Sequence, residues 1–152
     1  MAVVPDLGDG FIDNSLPYLL TLAAETASND LNQQLSRRGV SVPVWRVLAV
    51  LFERPSETVT NLSKRCLLQQ PTMSKLLDRM IRDRLILRRP DHLDRRVVRV
   101  SLTIEGRTLA MALVEIAGQH EAALLAGLPR ADVIKDGLRR LIAAHHGARE
   151  AG

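Results

Sequence analysis

From Pro71 to Arg82, the side chains able to meet a charged partner gather on one side of a helical projection. At about 100° per residue, Pro71, Lys75, Asp78, Arg79 and Arg82 fall together, with Thr72 and Ser74 on the shoulders. Met73, Leu76, Leu77, Met80 and Ile81 face the other way. Small hydroxyls and one long cation near a helix start suit entry into a nucleic-acid groove. Bulky residues there would block approach, whereas a hydroxyl serves a base edge or a phosphate equally well. The free amides of a first turn also favour a phosphate. An ordinary amphipathic helix with a solvated outer face has the same pattern, so this helix alone does not decide.

Charge placement adds a second indication. The net charge is +4, yet Asn61 to Arg107 holds twelve Lys and Arg against five Asp and Glu, while the remainder holds nine basic and twelve acidic residues. A basic middle between slightly acidic flanks suggests an anionic polymer as partner. Only three of the 21 basic residues are lysine. A GC-rich genome produces the same bias, so arginine count by itself carries no weight.

The elements that must position these groups can be read from periodicity. Residues 1–10 read as a flexible tail. Ser15 is placed as an N-cap with Pro17 in the first turn, and Leu16, Leu20, Ala23, Ala27, Leu31 and Leu35 form one stripe ending at Gly39. Ser41 and Pro43 open a second helix stopped by Pro55, and Thr58 caps a short third one. After Leu67-Leu68-Gln69, a fourth helix starts at Pro71. The period then changes: Leu85-Ile86-Leu87 reads as a strand, Pro90 to Asp94 as a turn, and Val98, Val100 and Leu102 as one side of a return strand. Thr103 caps a long helix with Glu105 in its first turn, and Pro129 precedes a last helix. Three helices followed by a hairpin are the layout of a winged helix-turn-helix. In that layout the last helix of the trio, here the one that starts at Pro71, enters the major groove and the hairpin reaches the flanking backbone.

Bulk properties narrow the class. The chain has 152 residues, 46% hydrophobic and only 3% aromatic. Its core must therefore be built from Leu, Val, Ile, Ala and Met, which favours helices over a β-sandwich. One cysteine, Cys66, excludes an intramolecular disulfide and suits a reducing compartment. No signal peptide is read at the start, and no apolar run approaches the roughly 20 residues of a bilayer span, so a cytoplasmic protein is expected. An enzyme is not expected: the chain has no phosphate-binding Gly-rich loop, no HExxH and no cysteine with His and Asn partners in a known arrangement. No cofactor is expected, and His92, His120, His145 and His146 lack paired metal-ligand spacing.

Two stretches resemble the MarR family. Asp94-Arg95-Arg96-Val97-Val98-Arg99-Val100-Ser101-Leu102-Thr103 is similar to the family's wing signature. Gln70-Pro71-Thr72-Met73-Ser74-Lys75-Leu76-Leu77-Asp78-Arg79-Met80 is similar to its recognition helix. They stand in the expected order, and the resemblance runs from about Leu16 to Ala144. It implies a mainly α fold with a small β-hairpin wing, a winged helix-turn-helix flanked by dimerisation helices. The expected parts are a dimerisation helix over 11–39, a DNA-binding lobe over 41–102, and C-terminal helices over 103–146 that complete the dimer region. The implied function is a DNA-binding transcriptional regulator, a repressor more often than an activator, acting as a homodimer on double-stranded DNA.

The resemblance also implies residue roles. Gln70, Pro71, Thr72, Ser74, Lys75 and Arg79 would face DNA from the helix, with Arg96 at the wing tip in the minor groove and Arg95 beside it on phosphate. Asp94 would pair with Arg96 or a neighbouring basic residue to shape the wing. A small phenolic or other aromatic acid is implied as effector, with Tyr18, Trp45 and Arg46 as candidate contacts; a core position is the commoner fate of such a Trp. Cys66 lies outside the N-terminal helix that carries the reactive thiol in sensing relatives, so it is expected to be buried and inert. One departure stands out: Arg84 occupies a position where the family has Gly, leaving the angle between helix and wing open. A winged-helix module that binds protein instead of DNA remains the alternative.

Overall fold

The computed structural model describes residues 5–149, with side chains described as far as residue 144. Part of the expected N-terminal tail and the side chains of His145 and His146 therefore lie outside the described residues. The chain forms two compact units, 1–118 and 119–152.

The first unit contains α1 (Leu16–Arg37), α2 (Val42–Glu53), β1 (Glu57–Thr58), α3 (Val59–Cys66), α4 (Gln70–Arg82), β2 (Ile86–Pro90), β3 (Val98–Leu102) and most of α5 (Ile104–Leu125). Its core is aliphatic, as the composition requires. Val47, Leu48 and Leu51 of α2, Leu62 of α3, Met73, Leu77 and Met80 of α4, Val100 of β3 and Leu113 of α5 are all fully buried. Ser15 and Ser41 occupy N-cap positions without a side-chain capping bond. Thr58 Oγ1 does cap α3, accepting from the Asn61 amide, and Thr103 Oγ1 caps α5, accepting from the Gly106 amide.

Three helices end on left-handed residues: Gly39 at φ 69°, Leu67 at φ 57° and Arg84 at φ 58°. In each case the chain-reversing amide bonds back across the last turn: Val40 to the Leu35 carbonyl, Leu68 to Ser63 and Leu85 to Met80, each at 3.0 Å. Those bonds satisfy carbonyls that a helix end leaves open.

The sheet has three antiparallel strands in the order β1-β3-β2. The hairpin β2–β3 pairs Ile86 with Leu102, Arg88 with Val100 and Pro90 with Val98. β1 adds Glu57 opposite Val100 and Thr58 opposite Arg99. This third strand was not expected; two residues are too few to show a period of two, and only β3 makes them a strand. Glu57 is buried there, accepting from Asn61 Nδ2 at 2.9 Å, with Arg65 Nε at 3.8 Å. β2 also runs further than expected, through Pro90, and α4 begins one residue earlier, at Gln70.

The second unit holds the end of α5 and α6 (Ala131–Arg149). Arg130 precedes α6 with φ 58°, and Lys135 pairs with Glu121. Among its described residues no side chain is buried. Leu124, Leu128, Val133, Ile134, Leu138 and Ile142 are all exposed.

Candidate nucleic-acid interface

The interface candidate is built on α4. Its apolar face (Met73, Leu77, Met80) is sealed in the core, so the opposite face must point outward. Gln70, Pro71, Thr72, Ser74, Lys75, Asp78, Arg79 and Arg82 are all exposed. Gln70 Nε2 donates to Thr60 Oγ1 of α3 at 3.3 Å, which orients the amide at the helix start. The left-handed Leu67 makes the turn between α3 and α4.

At the other end of α4, Arg84 takes the left-handed conformation despite its Cβ, which costs about 1–2 kcal/mol. Its carbonyl accepts from Thr103 Oγ1 at 2.6 Å, and the Leu85 carbonyl accepts from the Thr103 amide at 3.1 Å. Gly106 closes this corner: a Cβ there would lie 1.9 Å from the Leu85 carbonyl oxygen. The angle left open by a non-glycine residue is thus held on the left-handed path by α5.

A second tie joins helix and wing. Arg88 of β2 reaches Asp78 Oδ1 through Nη1 at 2.6 Å and the Ser74 carbonyl through Nη2 at 3.3 Å. Arg88 faces α4 because it pairs with the buried Val100, and paired residues share a face.

The wing turn is organised by Asp91, which is buried. Its carboxylate pairs with Arg99 and accepts from the Leu93 amide at 2.8 Å and the Asp94 amide at 3.3 Å. Its own amide donates to the Val97 carbonyl at 2.8 Å. The Arg99 hydrogen bond foremost, then the Leu93 amide, pull the Asp91 carboxyl down to about 2. Asp94 differs from expectation. Its Oδ1 accepts from the backbone amide of Arg96 at 3.0 Å; the ion pair in this turn belongs to Asp91, whose side chain lies on the same face as Arg99. Arg95 and Arg96 are exposed at the turn.

Sequence reasoning missed Arg88, Asp91 and Arg99 as organisers of the site. The signal was their parity along the hairpin, which has meaning only once the register Arg88–Val100 and Arg89–Arg99 is known.

The effector candidates are less convergent. Trp45 is half-buried against the core, and Arg46 Nη1 donates to the Cys66 carbonyl at 3.2 Å. Tyr18 stands half-buried in the first turn of α1, and no described hydrogen bond joins it to either. Cys66 is fully buried, and burial pushes its thiol up to about 11 against a smaller opposing effect of Arg46. At neutral pH it stays a thiol, a poor nucleophile. Among the described residues no cluster of His, Cys, Asp and Glu could hold a metal ion, and no helix is long and apolar enough to cross a membrane.

A three-helix lobe with an outward polar helix and an arginine-tipped hairpin defines a winged helix-turn-helix, a fold of DNA-binding proteins. The MarR family model matches residues 40–98. The chain is 38% identical to a MarR family transcriptional regulator from Silicibacter pomeroyi, whose crystal structure superimposes with a TM-score of 0.82 over 90% of this chain and 98% of that one. It is 33% identical over 96 residues to the homoprotocatechuate degradative operon repressor of Escherichia coli, 63% of this chain and 65% of the relative. The match thus spans just under two thirds of that repressor. Two solved structures at 23% identity share the fold. They are the S. aureus MepR–DNA complex, with a TM-score of 0.74 over 86% of this chain and 98% of that one, and NadR in complex with 4-hydroxyphenylacetate, with a TM-score of 0.76 over 90% and 96%. The chain belongs to the MarR family and carries that family's winged helix-turn-helix fold.

Proposed function

We propose that this protein represses transcription by occupying a pseudo-palindromic promoter site as a homodimer. α4 enters the major groove, with Gln70, Pro71, Thr72, Ser74, Lys75 and Arg79 facing base edges and phosphates. The wing enters the adjacent minor groove with Arg96, while Arg95 meets phosphate and Asp94 holds the Arg96 backbone in place. An arginine suits a narrow minor groove because the negative potential there is enhanced. The observation that carries this reading is the joint exposure of the α4 polar face and the Arg95–Arg96 tip in one unit. A protein-binding module would not need that cationic pair. The regulator acts by occupancy, without chemistry, in the cytoplasm where the chromosome lies.

Homodimerisation is supported by the apolar surface outside the lobe. Leu16 and Met111 are more than half exposed in the first unit, and among the described residues of the second unit six large apolar side chains are uncovered and none is buried. So much apolar surface is unusual for a monomer, and a two-fold copy would cover it. Two lobes would then address half-sites about one DNA turn apart.

The effector class we favour is a small phenolic or aromatic acid, supported by the fold shared with NadR, which was crystallised with 4-hydroxyphenylacetate. Tyr18, Trp45 and Arg46 are the candidate contacts.

The test is selection of bound fragments from the source genome, with and without aromatic acids, followed by salt titration of the best duplex. We expect an inverted repeat whose affinity falls steeply with salt, roughly one power-law unit per phosphate contact. If no duplex is enriched even at low salt, the reading is wrong.

A further inference from the structure

We infer that Arg88 is a positioning residue: it does not bind DNA but locks the wing to the recognition helix, so that both meet successive grooves as one rigid body. The inference rests on the DNA-binding reading above and goes beyond it, because an arginine in a basic wing would ordinarily be counted as a phosphate contact.

The argument is geometric. The α4–β2 corner at Arg84 and Leu85 ties the wing to one end of the helix, through Thr103 and Gly106. The β1–β3 pairing and the buried Val100 hold the base of the sheet, but neither ties β2 to the middle of α4. The Arg88 guanidinium supplies a second point, at the middle of α4, using separate nitrogens for the Asp78 carboxylate and the Ser74 carbonyl. Two attachments separated along a helix fix direction as well as position. The planar fork of arginine can hold both acceptors at once, which a lysine ammonium at the end of a flexible stem does poorly. Arg88 is also the more buried partner, its side chain 29% exposed against 58% for Asp78, so the cation is held inward rather than offered. Arg99 is exposed but paired with Asp91, which leaves the exposed Arg89, Arg95 and Arg96 of the wing for DNA.

Asp78 discriminates between the two roles. If Arg88 were a phosphate contact, Asp78 would compete with DNA for it, and Asp78→Ala would tighten binding. If Arg88 is a clasp, Asp78→Ala removes a negative charge from the DNA face and still weakens binding. The probe is a labelled duplex from the promoter upstream of the protein's own gene, or the duplex recovered by fragment selection. We expect Asp78→Ala and Arg88→Lys each to lose about tenfold in affinity, within the range for one specific contact. Hydroxyl-radical protection under the wing should fade while major-groove methylation protection persists. Unchanged or tighter binding by Asp78→Ala, with the wing footprint intact, overturns the inference.

A DNA-free measurement separates the inference from the reading beneath it. Spin labels at Arg82→Cys and His92→Cys, both exposed sites, report the helix-to-wing distance, and the buried Cys66 stays unlabelled. Labelled chain is diluted with unlabelled chain so that only distances within one protomer count. A narrow distribution that broadens with Asp78→Ala supports the clasp; an unchanged one overturns it. Failure of the unsubstituted protein to bind any duplex would instead remove the DNA-binding reading, with the distance result still judging Arg88.

Discussion

Single residues in this protein divide into those that face outward and those that hold them there. Arg96 and Lys75 are of the first kind. Arg96→Ala should weaken duplex binding by about 1–3 kcal/mol, the range for a groove-reading arginine. Lys75→Ala should reduce affinity and, on phosphate, flatten the salt slope by about one unit. Fluorescence anisotropy at several salt concentrations checks both, and wild-type affinity in the two variants would remove the site assignment while sparing the fold. Asp91 is of the second kind. Its carboxyl is held at about 2 in the folded chain, below the ordinary unfolded value. Its contribution is therefore fully present above about pH 4 and is lost as the pH falls from about 4 toward 2. Asp91→Asn should lower stability at neutral pH and remove up to one proton's worth of slope from the acid limb. Thermal melts of both proteins across that range decide it: superimposable acid limbs would show that the Arg99 pair contributes nothing.

At the scale of elements, the corner between α4 and β2 sets where the wing leaves the helix. Arg84 carries a left-handed strain that glycine would not. Arg84→Gly should therefore raise stability by about 1 kcal/mol, read as a higher urea midpoint. A lower midpoint would mean that the arginine side chain makes a compensating contact. Gly106 is the reverse case, since the nearest atom to a Cβ there is backbone and cannot rotate away. Gly106→Ala should cost about 1–3 kcal/mol or more, because helix α5 must shift off the Leu85 carbonyl. A variant with unchanged midpoint would show that α5 slides freely at this contact. Cys66 belongs to the same scale: sealed at the end of α3, it packs into the core.

For the whole molecule, the decisive quantity is apolar area left uncovered. An α6 whose Val133, Ile134, Leu138 and Ile142 remain exposed gains little from packing within its own chain, where helices in proteins draw most of their stability. Sedimentation equilibrium should return a dimer at micromolar concentration, and the melting temperature should rise with protein concentration, as subunit linkage requires. A monomer with a concentration-independent melt would contradict the dimer. Replacing Ile134 and Leu138 together by polar residues should lower the melting temperature and shift the protein toward monomer.

How much of this was legible beforehand depends on the range of the interaction. Helices α1 to α6, the Thr58 and Thr103 caps, the left-handed Gly39 and the outward face of α4 follow from neighbours three or four residues apart, so periodicity and capping chemistry alone determined them. The motif around Asp94 to Thr103 likewise marked the wing, because its turn and strand are local. The short strand Glu57–Thr58, the Asp91–Arg99 pair in place of an Asp94 side-chain pair, and the Arg88 bridge to Asp78 were decided only by tertiary structure. Each depends on strand register or on helix-to-sheet packing, where partners 8 to 43 residues apart meet, and a one-residue slip would have turned every such side chain to the opposite face.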